Sequence, residues 1–379
     1  MFGRERLQDF FLDPGVLHLN HGSYGALPRR VAGEQQALRD EAEARATTYN
    51  RGLYFKRLDG ARGAVAELLG GQSEDWVFVD NATSACNAVI LSQELYEGDE
   101  VLFLDATYGA VKKALWHWLQ GRGVHLTEIP LRLPLAGPDE VIACVADHLS
   151  ERVKLVVLDH ITSPSALVMP VAEIAKMCKA AGARILVDGA HVPGHLPVDV
   201  PSLGVDYWCG NAHKWLFSPR SSGVLWVAPR HQADTHPTVL SHGTGQGFQA
   251  EFQWVGTRDA SPWQSIPAGL RAHRSFGGAK LMARNRALAA EVSGMLEKEL
   301  GIRPAGPSSM ACAMVSLELP FAKGGDPVLL QKEFAERFQI ETAFHPWNTG
   351  LCVRVSGQVY NEIADFEALG RAIRTYFDI

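Results

Sequence analysis

Short apolar runs alternate with segments of helical periodicity through the middle of the chain, and this alternation restricts its fold more than any other feature. Helical patterns occupy residues 83–95, 108–121, 138–150 and 171–181. The apolar runs that predict strands are WVFV (76–79), EVLFL (100–104), HLTEI (125–129), KLVVLD (154–159), RILVD (184–188), VDYWC (205–209) and GVLWV (223–227). Such alternation is typical of an α/β fold, a mostly parallel sheet covered by helices on both faces. GVLWV follows its predecessor too closely for a helical crossover, so we expect it to be the antiparallel member of a seven-stranded sheet.

The pattern changes near residue 263. A long charged helical stretch ends near Gly301, and a shorter unit follows with the strands MVSLEL and LCVRVS and helices at 327–338 and 362–377. This order predicts a smaller C-terminal α+β domain. A chain of 379 residues is long enough for two or three cooperating units. The predicted division is an N-terminal segment packing on both domains (1–50), a large domain (51–262), and a linking helix with the small domain (263–379).

Composition excludes several classes of function. Hydrophobic residues make up 46% and charged residues 21%, as in average soluble globular proteins. The formal net charge is −6 with both signs mixed along the chain, which gives no reason to expect nucleic acid or a membrane surface as a partner. No apolar stretch approaches the roughly 18 residues of a membrane helix, and the first residues lack the apolar core of a signal peptide. The six scattered cysteines, none in a CxxC pair, predict reduced thiols and a cytoplasmic protein.

Two segments after neighbouring predicted strands carry the strongest chemical signal. Asp188 ends RILVD, at the edge where parallel sheets bind ligands, and such a carboxylate can pair with a protonated pyridine nitrogen. Lys214 lies in GNAHKW, beyond the next strand and within reach of the same crevice. An amine there, with its pKa lowered by burial and by neighbouring positive charge, can form a Schiff base. Taken singly, an aspartate at a strand end is often a helix cap and a lysine on a turn is usually solvated.

Three predicted strands that precede Asp188 in the sequence are also followed by residues that could bind a cofactor. After WVFV, a helix N-terminus with Thr83 predicts an anion site, although an N-cap alone explains the same residues. Tyr108 opens the next turn, where its ring could stack on a flat cofactor or pack in the core. Thr162 and Ser163 could bond a phenolate oxygen or serve ordinary turn chemistry. Four strand ends that offer an anion site, a ring, hydroxyls and a carboxylate before one His-Lys turn rarely arise by chance.

This series resembles the class V aminotransferase group of fold-type I pyridoxal 5'-phosphate (PLP) enzymes, and within it the isopenicillin N epimerase-like branch. The resemblance spans about residues 17–370 and includes LNHGSYG (19–25), WVGTRD (254–259) and RVSGQVYNEIADFEAL (354–369). It implies PLP as the cofactor, an amino acid as the substrate, and a homodimer with active sites at the interface. The implied catalytic residues are Lys214 as the Schiff-base lysine, Asp188 as the pyridinium partner, and His191 beside the ring.

The remaining implied roles concern binding. Thr257 would reach the phosphate of the neighbouring subunit, and Arg354 would bind the substrate α-carboxylate with Asn20 and His21 nearby. The full set of predicted cofactor contacts is Ala82, Thr83, Tyr108, Thr162, Asp188, His191, Asn211, His213, Lys214 and Thr257.

The sequence leaves several reactions open. Removal of the α-proton by Lys214 leads to racemisation, transamination or β-elimination, and an epimerase also needs a proton donor on the opposite face, for which Tyr24 and Tyr49 are candidates. Cysteine desulfurases of this class carry a mobile cysteine shortly before the substrate arginine, and no cysteine occurs from Ala313 to Leu351. We therefore expect an epimerase or a C–S lyase. A class V aminotransferase and a non-catalytic protein of the same fold are the alternatives.

Two further sets of residues have alternative roles. His191 and His195 have the spacing of a metal pair on a helix, but Pro193 and Gly194 between them break any helix, so no metal site is expected. Arg51, Arg57 and Arg258 could bind a second acidic group of the substrate or lie on solvated surfaces, and Arg220 could be structural.

Overall fold

The structure, a computed structural model, describes residues 2–348 and 350–379. Its strands are β1 (Leu17–His18), β2 (Trp76–Val79), β3 (Glu100–Leu104), β4 (His125–Ile129), β5 (Val153–Asp159), β6 (Arg184–Gly189), β7 (Tyr207–Asn211), β8 (Gly223–Val227), β9 (Met314–Leu319), β10 (Ile340–Glu341), β11 (Ala343–Trp347) and β12 (Gly350–Ser356). Its α-helices are α1 (His21–Tyr24), α2 (Arg29–Ala44), α3 (Ala46–Thr48), α4 (Tyr54–Leu69), α5 (Ala82–Leu91), α6 (Gly109–Leu119), α7 (Pro138–His148), α8 (Val171–Ala180), α9 (Ala212–Trp215), α10 (Phe248–Gln253), α11 (Ser261–Gln264), α12 (Ile266–Ser275), α13 (Ala279–Leu300), α14 (Pro327–Phe338) and α15 (Ile363–Phe377).

The large sheet has seven strands in the order β2-β8-β7-β6-β5-β3-β4. Strand β8 pairs antiparallel with both β2 and β7, and the other pairs are parallel. The predicted seven-stranded sheet with one antiparallel member is therefore confirmed. Successive side chains of a strand point to opposite faces. Along β2, Trp76 and Phe78 accordingly enter one hydrophobic core while Val77 and Val79 enter another, so both faces of the sheet are covered.

Two local predictions differ from the structure. Strand β7 begins at Tyr207, two residues later than predicted, because Asp206 leaves the strand and its carboxylate accepts the Ile185 N–H at 2.9 Å. The long helical stretch predicted from about residue 263 to near Gly301 consists of three helices, α11, α12 and α13. Gly277 and Gly278 separate α12 from α13 with φ angles of 127° and 54°, a left-handed backbone that no α-helix contains.

The C-terminal part forms a second sheet of three antiparallel strands, β11-β12-β9, as the predicted α+β unit requires. Helices α13, α14 and α15 pack with it around a separate hydrophobic core. The N-terminal segment reaches this unit, because β1 pairs with β10. Domain boundaries at residues 50 and 262 stay a prediction. Among the described residues, no helix has the length and apolar character needed to cross a membrane.

Candidate active site

A cavity of about 330 Å³ lies at the carboxyl ends of the parallel strands of the large sheet. Open α/β sheets bind their ligands at this edge. The predicted site residues that line it are Ala82, Thr83, Tyr108, Asp188, His191, Asn211, His213 and Lys214. The predicted site residues outside its lining are Asn20, His21, Thr162, Thr257 and Arg354. The structure thus brings most of the predicted cofactor contacts together and places the predicted substrate contacts behind them.

Lys214 lies on α9, directly after β7, and lines the cavity. Its Nζ is 3.1 Å from Nε2 of His191. Burial and the positive charge of Arg354 lower the pKa of Lys214 to about 7, while Asp188 and Asp159 oppose this shift. A large fraction of the amine is therefore neutral near pH 7, and the neutral amine is the form that acts as nucleophile or base.

Two carboxylates, Asp159 and Asp188, line the cavity from the ends of β5 and β6, where they are paired in register. Oδ1 of Asp188 accepts the Ala190 N–H at 2.9 Å, whereas Oδ2 of Asp159 has no hydrogen-bond partner among the described residues. Burial raises the pKa of both, and repulsion from Asp188 raises the pKa of Asp159 well above its ordinary value. The pKa of Asp159 is the more strongly raised of the two, which favours the negative charge on Asp188, the predicted pyridinium partner. The sequence-based reasoning missed Asp159, although KLVVLD and RILVD both end in aspartate.

The N-terminus of α5, which the sequence predicts to be an anion site, borders the cavity. Oδ1 of Asn81 caps the helix by accepting the Ser84 N–H at 3.0 Å, and the Ala82 N–H donates to Oδ1 of Asn211 at 2.9 Å. The backbone N–H and hydroxyl of Thr83 have no protein partner in the described part of the chain, and Thr83 lines the cavity. Free donors at the positive end of a helix dipole suit a phosphate.

Tyr108 and His191 offer the cavity a ring and an imidazole. Tyr108 is the N-cap of α6, and 45% of its surface is exposed, so its ring is free to stack on a planar ligand. Burial, followed by the charge of Lys214, lowers the pKa of His191 well below its ordinary value. His191 is therefore neutral, and its Nε2 can exchange a proton with Lys214 while its buried Nδ1 has no partner among the described residues.

His21 binds the backbone of the lysine turn instead of lining the cavity. Its Nε2 donates to the Lys214 carbonyl at 2.9 Å, and its Nδ1 accepts the Tyr360 hydroxyl at 3.0 Å. A carbonyl can only accept, which fixes this tautomer. From the same segment, Ser23 and Tyr24 do line the cavity, and Ser23 was missed because a serine in a short turn has no distinguishing local signal.

Arg354 is 1% exposed on β12 and lies behind two serines of the cavity wall. Nη1 donates to the carbonyl and hydroxyl of Ser163 at 2.8 and 3.2 Å, and Nη2 donates to Oδ1 of Asn20 at 3.0 Å and Oγ of Ser23 at 2.7 Å. Burial lowers its pKa to about 10, so it stays charged at neutral pH. A substrate carboxylate in the cavity would therefore meet the Ser23 and Ser163 hydroxyls together with this cation, and carboxylate binding by Arg354 stays a prediction.

Thr162 and Ser163 are placed differently by the turn after β5. Thr162 is completely buried, its hydroxyl lies 2.6 Å from that of Ser165, and it accepts the Leu167 N–H at 3.0 Å. This is the turn chemistry that the sequence left open. Ser163, the next residue, lines the cavity in its place.

Thr257 is exposed and lies outside the cavity lining. Its neighbour Arg258 pairs with Asp80 and stacks over the ring of Trp263 at 4.0 Å. Asp80 lines the cavity, so the segment that carries Thr257 borders the site without entering it. Its predicted contact with the cofactor of a neighbouring subunit stays a prediction.

The geometry supports neither a metal site at His191 and His195 nor Tyr49 as a proton donor in the cavity. His195 stacks on Trp215 with ring centroids 3.9 Å apart, and both of its nitrogens are engaged, with the His191 carbonyl at 2.9 Å and the Ala313 N–H at 2.7 Å. No group of three or more potential metal ligands occurs among residues 2–348 and 350–379. Tyr49 is buried and donates its hydroxyl to Gln264, away from the cavity lining, so of the two tyrosines considered as proton donors Tyr24 is the one that lines the cavity.

Comparisons with known proteins agree with this geometry. The family model described as Aminotransferase class-V matches residues 28–369. The chain belongs to this family. The class V chain is 32% identical to a probable L-cysteine desulfhydrase, chloroplastic, of Arabidopsis thaliana, over 95% of this chain and 83% of the relative. It is 30% identical to isopenicillin N epimerase of Amycolatopsis lactamdurans, with 96% of both chains covered. A cysteine desulfurase structure from Thermococcus onnurineus NA1 shares the fold, with a TM-score of 0.83, 19% identity and coverage of 100% of this chain and 98% of that one.

Membership of the class V family confirms the predicted family, its fold type and PLP as the cofactor. The residues present fit that molecule. Thr83 offers unpartnered donors for a phosphate, Asp188 a carboxylate for a pyridinium nitrogen, and Lys214 a partly neutral amine. His213 also has a buried Nδ1 without a partner among the described residues, and such unsatisfied groups cost about 1–3 kcal/mol each until a ligand pairs with them.

Proposed function

We propose that this class V chain is a PLP-dependent enzyme that removes the α-proton of an amino acid, with β-elimination of a sulfur substituent, a C–S lyase reaction, as its leading activity. The observation that carries the proposal is Lys214, an amine with a pKa lowered to about 7 in the same cavity as the carboxylates Asp159 and Asp188. The names of its relatives, among them L-cysteine desulfhydrases, support the choice of a sulfur amino acid.

Cofactor binding would fall to the residues that line the cavity. Thr83 and the α5 N-terminus would hold the phosphate, Tyr108 would cover one face of the ring, and Asp188 would hold its nitrogen. PLP bound in this way withdraws electrons from an attached amino acid and so acidifies the α-proton. The low dielectric of the cavity would strengthen the ion pair between Asp188 and the ring nitrogen, because buried charges are poorly screened.

Proton transfer would be the task of Lys214. Its neutral Nζ accepts the α-proton, and its lowered pKa means that this form is abundant at neutral pH. Nε2 of His191, 3.1 Å away, can accept a hydrogen bond from the resulting ammonium and hold it in place. His21 holds the lysine turn from behind through the Lys214 carbonyl, so the amine is oriented by contacts on two sides.

Direct release of sulfur is favoured over transfer to the protein. None of the six cysteines lines the cavity, and Cys352, the one beside Arg354 in sequence, is 1% exposed. A thiol that receives sulfur must reach the substrate. Without such a thiol, the sulfur leaves as hydrogen sulfide or a small thiol, as in a desulfhydrase.

Epimerisation is the second candidate. It needs a proton donor on the face opposite Lys214, and Tyr24 lines the cavity with 68% of its surface exposed. The isopenicillin N epimerases among the relatives support this alternative. Transamination, the third reaction that the sequence left open, needs no donor of this kind and no sulfur substituent.

The test combines a spectrum with a product analysis. Purified enzyme is expected to show a visible band from lysine-linked PLP that borohydride removes and that Lys214→Ala lacks; persistence of the band in that variant would refute the proposal. The enzyme is then incubated with L-cysteine and other amino acids in D2O and followed by NMR. With L-cysteine, release of pyruvate identifies the lyase, α-deuteration with inversion identifies the epimerase, and formation of a keto acid that keeps the thiol side chain identifies the aminotransferase.

We also propose that the enzyme works as a homodimer in the cytoplasm. The position of Thr257, exposed at the border of the site, supports a role toward a neighbouring copy. The six free cysteines support a reducing compartment.

A further inference from the structure

A second cavity, of about 460 Å³, adjoins the active-site cavity. Tyr24 and Arg220 belong to the walls of both cavities. Beyond these two residues, the second cavity extends between the N-terminal segment, which contributes His21, and helix α14, which contributes Lys332. Because Tyr24 and Arg220 line both cavities, the second space lies next to the active-site cavity on the far side of these two side chains, where it could receive the side chain of a ligand larger than cysteine.

Arg220 is the unpaired cation of this shared wall. It makes no hydrogen bond or ion pair with any described residue. The other charged groups of the second cavity are engaged, since Oε2 of Glu341 lies 3.2 Å from Nδ1 of His18 and Nζ of Lys332 lies 3.8 Å from Oε1 of Glu336. A guanidinium without a partner beside a ligand cavity is a ready site for an anion.

The backbone around Arg220 is held in a strained turn. Phe217 and Ser221 are not glycines, yet they have φ angles of 62° and 66°. Such left-handed residues are strained and persist where packing fixes them, often at ligand sites. Phe217 is completely buried against Phe10 and Phe276, with ring centroids 5.8 and 5.3 Å away. The backbone of the turn is therefore anchored beside the Lys214 helix, and the exposed side chain of Arg220 contributes to the walls of both cavities.

The cations that the sequence suggested for a second acidic group are placed elsewhere. Arg57 pairs with Glu41 at 2.7 Å, and Arg258 pairs with Asp80. Neither arginine lines the active-site cavity or the second cavity, and the same holds for Arg51.

We propose that the second cavity binds the substrate side chain and that Arg220 binds a carboxylate on that side chain. The inference rests on the proposed function, because it assumes that the amino-acid end of the substrate lies at Lys214. It narrows the substrate class to amino acids whose side chain is longer than that of cysteine and ends in an acidic group. Two parallel N–H···O bonds from the guanidinium would distinguish a carboxylate from the isosteric amide.

The experiment uses full-length, PLP-loaded enzyme and probes in matched pairs of increasing length. The pairs are L-glutamate with L-glutamine, S-carboxymethyl- with S-carbamoylmethyl-L-cysteine, and S-(2-carboxyethyl)- with S-(2-carbamoylethyl)-L-cysteine. Half-saturation is read from the change in cofactor absorbance, and turnover from α-hydrogen exchange in D2O. For at least one pair, the wild-type enzyme is expected to bind the carboxylate about tenfold more tightly or better, the scale of a charge-assisted hydrogen bond.

The variants assign this preference to Arg220. Arg220→Gln is expected to bring the carboxylate-to-amide ratio close to one, Arg220→Lys to keep part of it, and Arg122→Ala, which changes an exposed arginine outside both cavities, to keep the wild-type ratio. The visible band and the unfolding midpoint of each variant verify that it is folded and loaded. The inference is overturned if the wild-type enzyme shows no preference for the carboxylate in any pair, or if the preference survives Arg220→Gln. In either case the proposed function still stands, provided that the enzyme exchanges the α-hydrogen of small amino acids. Absence of exchange with every amino acid overturns both.

Discussion

At the scale of single residues, the site depends on an unequal pair of carboxylates. Asp159 and Asp188 end adjacent parallel strands, and both are buried. Two such groups cannot both be ionised without a large electrostatic cost. The Ala190 N–H stabilises the charge of Asp188, while burial and repulsion from Asp188 raise the pKa of Asp159 well above its ordinary value, so we expect Asp159 to be the member that keeps its proton.

Substitution of each carboxylate by its amide tests this assignment. Asp188→Asn removes the negative charge that would hold the pyridinium, and we expect activity to fall by about 10²-fold or more. Asp159→Asn replaces a protonated acid by a neutral group of the same shape, so its loss should be smaller, within about tenfold. Steady-state kinetics and PLP retention on gel filtration measure both effects. Equal losses in the two variants would contradict the unequal pair.

The lowered pKa of Lys214 also predicts how stability depends on pH. Folding lowers this pKa from 10.5 to about 7, so the unfolded chain binds more protons than the folded chain between these values. The resulting penalty is fully present below pH 7 and disappears as the pH approaches 10.5. We therefore expect cofactor-free Lys214→Met to unfold several degrees above the cofactor-free wild-type enzyme at pH 6, with a smaller difference at pH 9. Differential scanning fluorimetry gives both midpoints, and a pH-independent difference would speak against a buried ammonium.

At the scale of elements, the N-terminal segment LNHGSYG joins the two parts of the site. His21 binds the carbonyl of Lys214, while Asn20 and Ser23 bind the guanidinium of Arg354. The segment therefore connects the lysine turn after β7 to the strand β12, which are far apart in sequence. A shift of this segment would move the base and the predicted carboxylate-binding group relative to each other.

Gly25 ends this segment and provides a sharp test of its packing. Its φ is 68°, and a Cβ at this position would lie 2.0 Å from the His213 carbonyl oxygen. We expect Gly25→Ala to lower the free energy of unfolding by about 2 kcal/mol or more and to weaken PLP binding, since the lysine turn must shift. Gly33→Ala is the matched control, because Gly33 lies within α2 with nothing within 4 Å of the added Cβ, and a helical alanine should stabilise by about 0.5–1 kcal/mol. Chemical denaturation compares the two, and equal behaviour would rule out the tight contact.

At the scale of the whole molecule, the proposed dimer predicts a shared site. We expect sedimentation velocity to give twice the chain mass of 41.4 kDa. Because Thr257 is exposed and outside the cavity lining of its own chain, Thr257→Ala should reduce PLP affinity in the dimer while leaving the fold unchanged. A fully active monomer, or a Thr257→Ala variant with unchanged PLP affinity, would contradict this role.

Much of the large sheet could be predicted from the sequence because strand signals are local. Apolar runs and the turn residues after them set the seven strands to within two residues, and Thr83, Tyr108, Asp188 and Lys214 lie at the ends of these strands or shortly after them. Parallel strands place their carboxyl ends at one edge, so these residues were expected to meet, and they line one cavity. The broken helix near residue 277 was not predicted, because a polar helical pattern continues on both sides of two glycines.

The sequence by itself thus determined the family, the cofactor and the set of strand ends that form the site. Only the tertiary structure decided which neighbours these ends have. Strand order makes Asp159 the partner of Asp188, and chain folding brings His21 to a carbonyl 193 positions later in the sequence. Packing also put Ser163, and not Thr162, in the cavity wall and left Arg220 unpaired between two cavities. Such contacts depend on the relative positions of distant segments, which no local pattern of residues encodes.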